Sequence, residues 1–173
     1  LKNGSHRAPE QIAAELLQIL FPTSANPVLV AVGGPGGTGK STFARALAEQ
    51  LNGAEVLRLD DYKTSRAFRA ERNLFGPHPD ANKLELLKTH FLEMKAGRSF
   101  ERPVYDRKTG EAHDSTPFLP GRFNILDGEI ATYREFRDLI DFSIFIDSDW
   151  KTQLATRVER DIGVRGYDRE KAI

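Results

Sequence analysis

The stretch Val30 to Gln50, VAVGGPGGTGKSTFARALAEQ, constrains the fold more than any other part of the chain. A short Val-rich apolar run over Pro27 to Val32 reads as a buried strand. Five glycines follow within positions 33–39, then Lys40, then a helical pattern over Ser41 to Asn52 with Phe43, Leu47 and Leu51 on one face. Each glycine costs backbone entropy on folding, so such a cluster needs a geometric reason. Gly34-Pro35-Gly36-Gly37-Thr38-Gly39-Lys40-Ser41 matches GxxxxGK[ST] in the required context, a strand before and a helix after. In such a loop the glycines let backbone N–H groups turn inward around a phosphate chain. The helix N-terminus adds partial positive charge. The lysine reaches the terminal phosphates and the serine hydroxyl binds Mg²⁺. Residues 34–41, with Thr42 next in line, are therefore the expected nucleotide site, and Lys40 is expected to act on the reacting phosphates.

The remaining pattern alternates strands and helices. Helices are expected at Pro9 to Phe21, Asn82 to Ala96 and Trp150 to Ile162, and further strands at Glu55 to Leu59, Phe123 to Leu126 and Phe142 to Asp147. That alternation implies right-handed βαβ units and a mainly parallel sheet flanked by helices, an α/β three-layer fold of the P-loop NTPase kind. Ligands then gather at the carboxyl ends of the strands. Residues 63–81 and 98–121 carry Pro, Gly and many charges and read as long loops, of the kind that serve as lids.

Composition narrows the function classes. The 25 basic and 25 acidic residues cancel, which argues against a chain that works by coating nucleic acid or an anionic membrane. There is no cysteine, hence no disulfide framework or thiolate zinc site, which fits a cytoplasmic setting. At 173 residues, one domain is expected.

"LRLDDYK", Leu57 to Lys63, places two carboxylates just past a strand end. Phosphoryl transfer to a hydroxyl needs a carboxylate that orients the acceptor and takes its proton. Asp60 and Asp61 both qualify, although aspartates also commonly cap turns. "HPDANKLELL" from His78, "RPVYDRKTGEA" from Arg102, "ILDGE" from Ile125 and "RVERDIGVRGYD" from Arg157 follow in order. Together with the glycine loop these blocks resemble the uridine kinase and phosphoribulokinase family of P-loop kinases, over nearly all of Val28 to Asp168.

The resemblance implies roles position by position. Asp60 matches the catalytic base. Asp61, Tyr62, His78, Tyr105 and Asp106 fall where the family lines its acceptor pocket. Asp127 stands where relatives carry a Glu before Gly that binds Mg²⁺ directly or through water, its shorter side chain favouring contact through water, and Glu129 is a further acid able to share that task. Arg157, Arg160 and Arg165 match the arginine-bearing lid at 156–168; Arg157 and Arg160, three apart, share a helix face and would neutralise the transferring phosphoryl group. Tyr167 stands where relatives carry an arginine that contacts the nucleoside.

Other departures are as specific. Pro77 replaces an Asp that bonds ribose hydroxyls, and Gly110 falls where a His helps hold the base; His113 lies three residues later. The family usually continues into another helix and a terminal strand, expected to be missing from a chain that stops at Ile173. The expectation is thus an ATP- and Mg²⁺-dependent kinase acting on a small-molecule hydroxyl, possible as a homo-oligomer, without nucleic-acid or membrane partners. A uridine- or cytidine-like nucleoside is the default acceptor. A sugar, sugar phosphate or other small alcohol is the alternative, and a P-loop ATPase without acceptor is the rival class.

Overall fold

A computed structural model describes residues 7–163, apart from the side chains of Arg157, Arg160 and Asp161. Elements follow in chain order as α1 (Pro9–Leu20), β1 (Val28–Gly33), α2 (Lys40–Gln50), β2 (Glu55–Arg58), α3 (Arg66–Glu71), α4 (Leu84–Lys95), β3 (Phe100–Asp106), β4 (Glu111–Phe118), β5 (Phe123–Asp127), β6 (Phe142–Phe145) and α5 (Trp150–Gly163). Four strands form a parallel sheet in the order β2-β5-β1-β6. The expected fold class is therefore the one observed.

β1 is buried along its whole length, and its two faces feed two cores. Val28, Val30 and Val32 pack with Leu17 of α1 and with Ala44, Leu47 and Leu51 on or just past α2. Leu29 and Ala31 face the opposite layer, with Leu87, Phe91 and Met94 of α4. A helix on each side is what makes the strand read as a continuous apolar run. Asp141, just before β6, ties β1 to α4: Leu29 N–H donates to its Oδ2 at 2.8 Å, and Lys95 of α4 pairs with the same carboxylate at 2.6 Å.

The two stretches expected as long loops are partly regular. Positions 98–121 fold into the antiparallel hairpin β3–β4, bulged between Val104 and Tyr105. Pro103 and Pro117 lie within its strands, and most of its residues are exposed or half-buried, so no apolar alternation marks it. Positions 63–81 hold α3, whose N-cap Ser65 accepts from Phe68 N–H and which buries no residue. A six-residue helix without a buried face leaves no periodic signal. No helix among the described residues is long and apolar enough to cross a membrane.

Candidate active site

The glycine loop joins β1 to α2, and its backbone has the shape that its composition implies. Gly34, Gly37 and Gly39 have φ of 137°, 88° and 85°, where side-chain-bearing residues are strained. Space enforces the same choice: a Cβ on Gly34 would lie 2.0 Å from the Ile146 carbonyl oxygen, and one on Gly37 2.5 Å from that of Gln153. The backbone of α5 thus presses on the loop. Thr38 Oγ1 and Lys40 Nζ both donate to the Pro35 carbonyl, at 2.9 and 2.6 Å, so the lysine spans the loop.

A cleft of about 230 Å³ opens over Gly36, Gly37, Gly39, Lys40, Ser41 and Thr42. Its far wall is built by Arg58 at the end of β2 and Asp60 just past it, by Asp127 at the end of β5 with Gly128 and Glu129 after it, and by Thr156 of α5. Gly34, Pro35 and Thr38 shape the loop from behind and do not line this cleft. Asp127 is buried, and the Ser41 hydroxyl bonds its carboxylate. Burial pushes the Asp127 carboxyl above its ordinary value, against the pull of Ser41 and Lys40. Glu129 reaches the loop from the same turn: a Cβ on Gly36 would come within 2.9 Å of its Oε1. Among the described residues no cluster of three or more His, Asp and Glu makes a ready metal cage. Two oxygen groups beside a phosphate cradle suit Mg²⁺, which arrives with the phosphates and keeps several waters.

β2 ends in a 3₁₀ turn over Leu59 to Tyr62 that points the two acids differently. Asp60 is 41 % exposed and takes Lys63 Nζ at 2.8 Å and Arg107 Nη2 at 3.3 Å. Burial alone would raise its pKa, but Lys63, then Arg107 and Arg58, outweigh that and hold the carboxyl below its ordinary value. Asp61 is buried, accepts from Tyr105 N–H at 3.4 Å and lies 3.8 Å from Arg58. Burial leaves its pKa raised.

A second pocket of about 170 Å³ adjoins the first and shares Arg58, Asp60 and Arg107 with it. Asp61, Lys63, Tyr105 and two α3 residues, Arg66 and Arg69, complete it. Of the residues expected to contact an acceptor, Asp61 and Tyr105 are here. Three others are not, each for a local reason. Tyr62 is fully buried, its hydroxyl 2.7 Å from His90 Nδ1, beneath the pocket rather than in it. His78 is exposed and caps the 3₁₀ turn Pro79–Ala81, its Nδ1 accepting from Asp80 N–H. Asp106 caps the hairpin turn, accepting from Lys108 N–H at 2.7 Å. His113 faces Glu111 on β4, outside both pockets. The side chains of Arg157 and Arg160, and Arg165 and Tyr167 entirely, lie outside the described residues.

Motif reading missed the cations Arg58, Lys63, Arg66, Arg69 and Arg107. Their signal was present, since "KTSRAFR" and "RK" at 107–108 are basic runs beside the two blocks that mattered. Only the hairpin folding back over α3 brings them together.

Known proteins place this architecture. The model of the Phosphoribulokinase / Uridine kinase family matches residues 29–173. Among curated relatives, a uridine kinase of Deinococcus deserti is 33 % identical over 155 residues, covering 85 % of this chain and 74 % of the relative. A phosphoribulokinase of Synechocystis sp. is 32 % identical over 148 residues, covering 83 % of this chain and 44 % of the relative. The chain thus spans less than half the length of the phosphoribulokinases it matches and about three quarters of that uridine kinase. Among solved structures, a Silicibacter protein assigned as a fructose transport system kinase superposes with a TM-score of 0.82 at 23 % identity, over 96 % of this chain and 87 % of that one. D-glycerate 3-kinase from Cryptococcus neoformans superposes at 0.75 and 15 % identity, over 96 % and 84 %.

Proposed function

Since the chain belongs to the phosphoribulokinase / uridine kinase family, we propose that it transfers the γ-phosphoryl group of ATP to a hydroxyl of a small molecule. One observation carries this reading beyond the family: Asp60 lies in the walls of both pockets, where a donor on the glycine loop and an acceptor in the neighbouring pocket would meet.

In this mechanism the loop amides and Lys40 hold the triphosphate. Asp60, held ionised by Lys63 and Arg107, orients the acceptor hydroxyl and takes its proton. A bond forms from the acceptor oxygen to the γ-phosphorus as the bond to the β–γ bridging oxygen breaks. ADP leaves with that electron pair, and the proton passes from Asp60 to water. Ser41 and Asp127 would hold Mg²⁺, with Glu129 close by; when bound it neutralises charge on the β- and γ-phosphates. Arg157 and Arg160 on α5, with Arg165 beyond it, are the groups we assign to charge on the transferring group. Of the two acceptor classes that the sequence leaves open, the pocket lining favours the non-nucleoside one. Tyr105 is the pocket's aromatic residue, and the Arg69 guanidinium lies over its ring, 5.5 Å from the centroid, where a base would have to stack.

The test is ADP release across nucleosides, sugars, sugar phosphates and small hydroxy acids, with Asp60→Asn alongside. Acceptor-dependent release should fall on the order of 10²–10⁴-fold in the variant, the usual weight of a general base. ATP turnover indifferent to every acceptor points instead to an ATPase, and full activity in Asp60→Asn removes the base assignment.

A further inference from the structure

The charge of the second pocket goes beyond what a neutral alcohol needs. Arg58, Lys63, Arg66, Arg69 and Arg107 meet Asp60 and Asp61 there, so five cations face two carboxylates and three positive charges are in excess. The chain as a whole is neutral, so this excess is a local concentration. The ion pairs account for part of the set: Lys63 and Arg107 pair with Asp60, and Arg58 with Asp61. Among the described residues, no carboxylate lies within ion-pairing distance of Arg66 or Arg69.

These two guanidinium groups are held in place by neutral partners. Arg69 donates to the Thr64 carbonyl and, at 2.8 Å, to the Tyr105 hydroxyl. Arg66 donates to the carbonyls of Arg107 and Lys108. The Tyr105 hydroxyl donates in turn to the Gly110 carbonyl at 2.8 Å, and that carbonyl also accepts from Arg66 N–H at 2.8 Å. Gly110 has φ of 83°, and a Cβ there would stand 2.7 Å from Arg66 Cβ and 3.2 Å from its Cζ. The hairpin tip is therefore shaped around Arg66. A guanidinium has five donors, and each of these spends part of them on anchoring while keeping its full charge. Fixed, planar, unneutralised guanidinium groups suit carboxylate or phosphate oxygens.

We propose that the acceptor is a compact anion, a hydroxyl-bearing molecule with a carboxylate or phosphate group, whose charge is bound by Arg66 and Arg69 while its hydroxyl faces Asp60. This rests on the kinase reading.

Matched acceptors test it. ADP release is measured with D-glycerate against glycerol, ribulose 5-phosphate against ribulose, and uridine. The charged member of one pair should be the substrate, and which pair responds separates carboxylate from phosphate. Arg66→Met and Arg69→Met should raise KM for that substrate on the order of 10–100-fold, the weight of a hydrogen bond to a charged group. KM for ATP should stay unchanged, which also shows that the variants fold. Gly110→Ala, which keeps both arginines and displaces Arg66, should act in the same direction. Sulfate titrated into protein saturated with a non-hydrolysable ATP analogue should bind, and bind less to Arg66→Met/Arg69→Met. Release driven by uridine or by the neutral members overturns the anion proposal and leaves the kinase standing. Release indifferent to every acceptor overturns the kinase. Sulfate binding that is absent, or the same in the double variant, removes the anion pocket on either outcome. A lowered Tm with unaltered acceptor KM assigns the arginines to anchoring alone.

Discussion

Asp127 and Asp60 stand at the ends of neighbouring strands, yet their surroundings push them in opposite directions. Lys63 and Arg107 hold the Asp60 carboxyl below its ordinary value, whereas burial holds Asp127 above it. For Asp127 the sign is unfavourable to folding. The unfolded chain ionises near the ordinary value of 3.8, so stability is lost as pH rises from there toward the higher folded pKa, and at neutral pH the buried charge opposes the fold. Asp127→Asn should therefore raise Tm at pH 7, with the advantage shrinking as pH falls toward 4. Phosphoryl transfer should drop on the order of 10²-fold, as for loss of one preorganised charge-stabilising group. Parallel thermal melts and rate assays check this; a Tm that falls at pH 7 would show the carboxylate to be structural. A residue kept at a cost to stability is what an active site is expected to contain.

At the scale of elements, the aromatic column beneath the second pocket ties α4 to the hairpin. The His90 ring stacks on Phe100 at 4.1 Å, and Phe100 on Phe118 at 5.2 Å, with Tyr62 edge-on to His90. Tyr62→Phe removes the bond to His90 and should cost about 0.5–1.5 kcal/mol by denaturant unfolding. It should leave acceptor KM unchanged, and a raised KM would return Tyr62 to the pocket. The elements legible in the sequence are those with a buried face. β1 shows a continuous apolar run because both its sides are covered, and α4 repeats Leu84, Leu87, Phe91 and Met94 because one side faces the core. α3 and the tip of β3–β4 bury almost nothing, so hydrophobic pattern has no hold on them. The glycine loop was readable because backbone geometry demands its glycines, at Gly34, Gly37 and Gly39. The second pocket was not, because Arg66, Arg69 and Arg107 are brought together by a hairpin that pattern does not reveal.

For the molecule as a whole, a ligand that binds only the folded state adds to its stability by mass action. ATP with Mg²⁺ at about 100 times Kd should add about 2.7 kcal/mol, a rise in Tm of about 5–10 °C for a chain this size. Thermal melts should show that shift, and Lys40→Met should abolish most of it; an equal shift in the variant would move the nucleotide away from the glycine loop. The protein thus divides into a sheet whose interior fixes the glycine loop and a peripheral helix and hairpin tip that carry much of the second pocket. Because α3 buries no side chain, substitutions along it cost the core little. A lineage can therefore try out new acceptors at residues 66–69 while the core and the glycine loop stay intact. Selection for a new substrate should then act first on those few positions, and recombining this segment between relatives should be the shortest route to altered specificity.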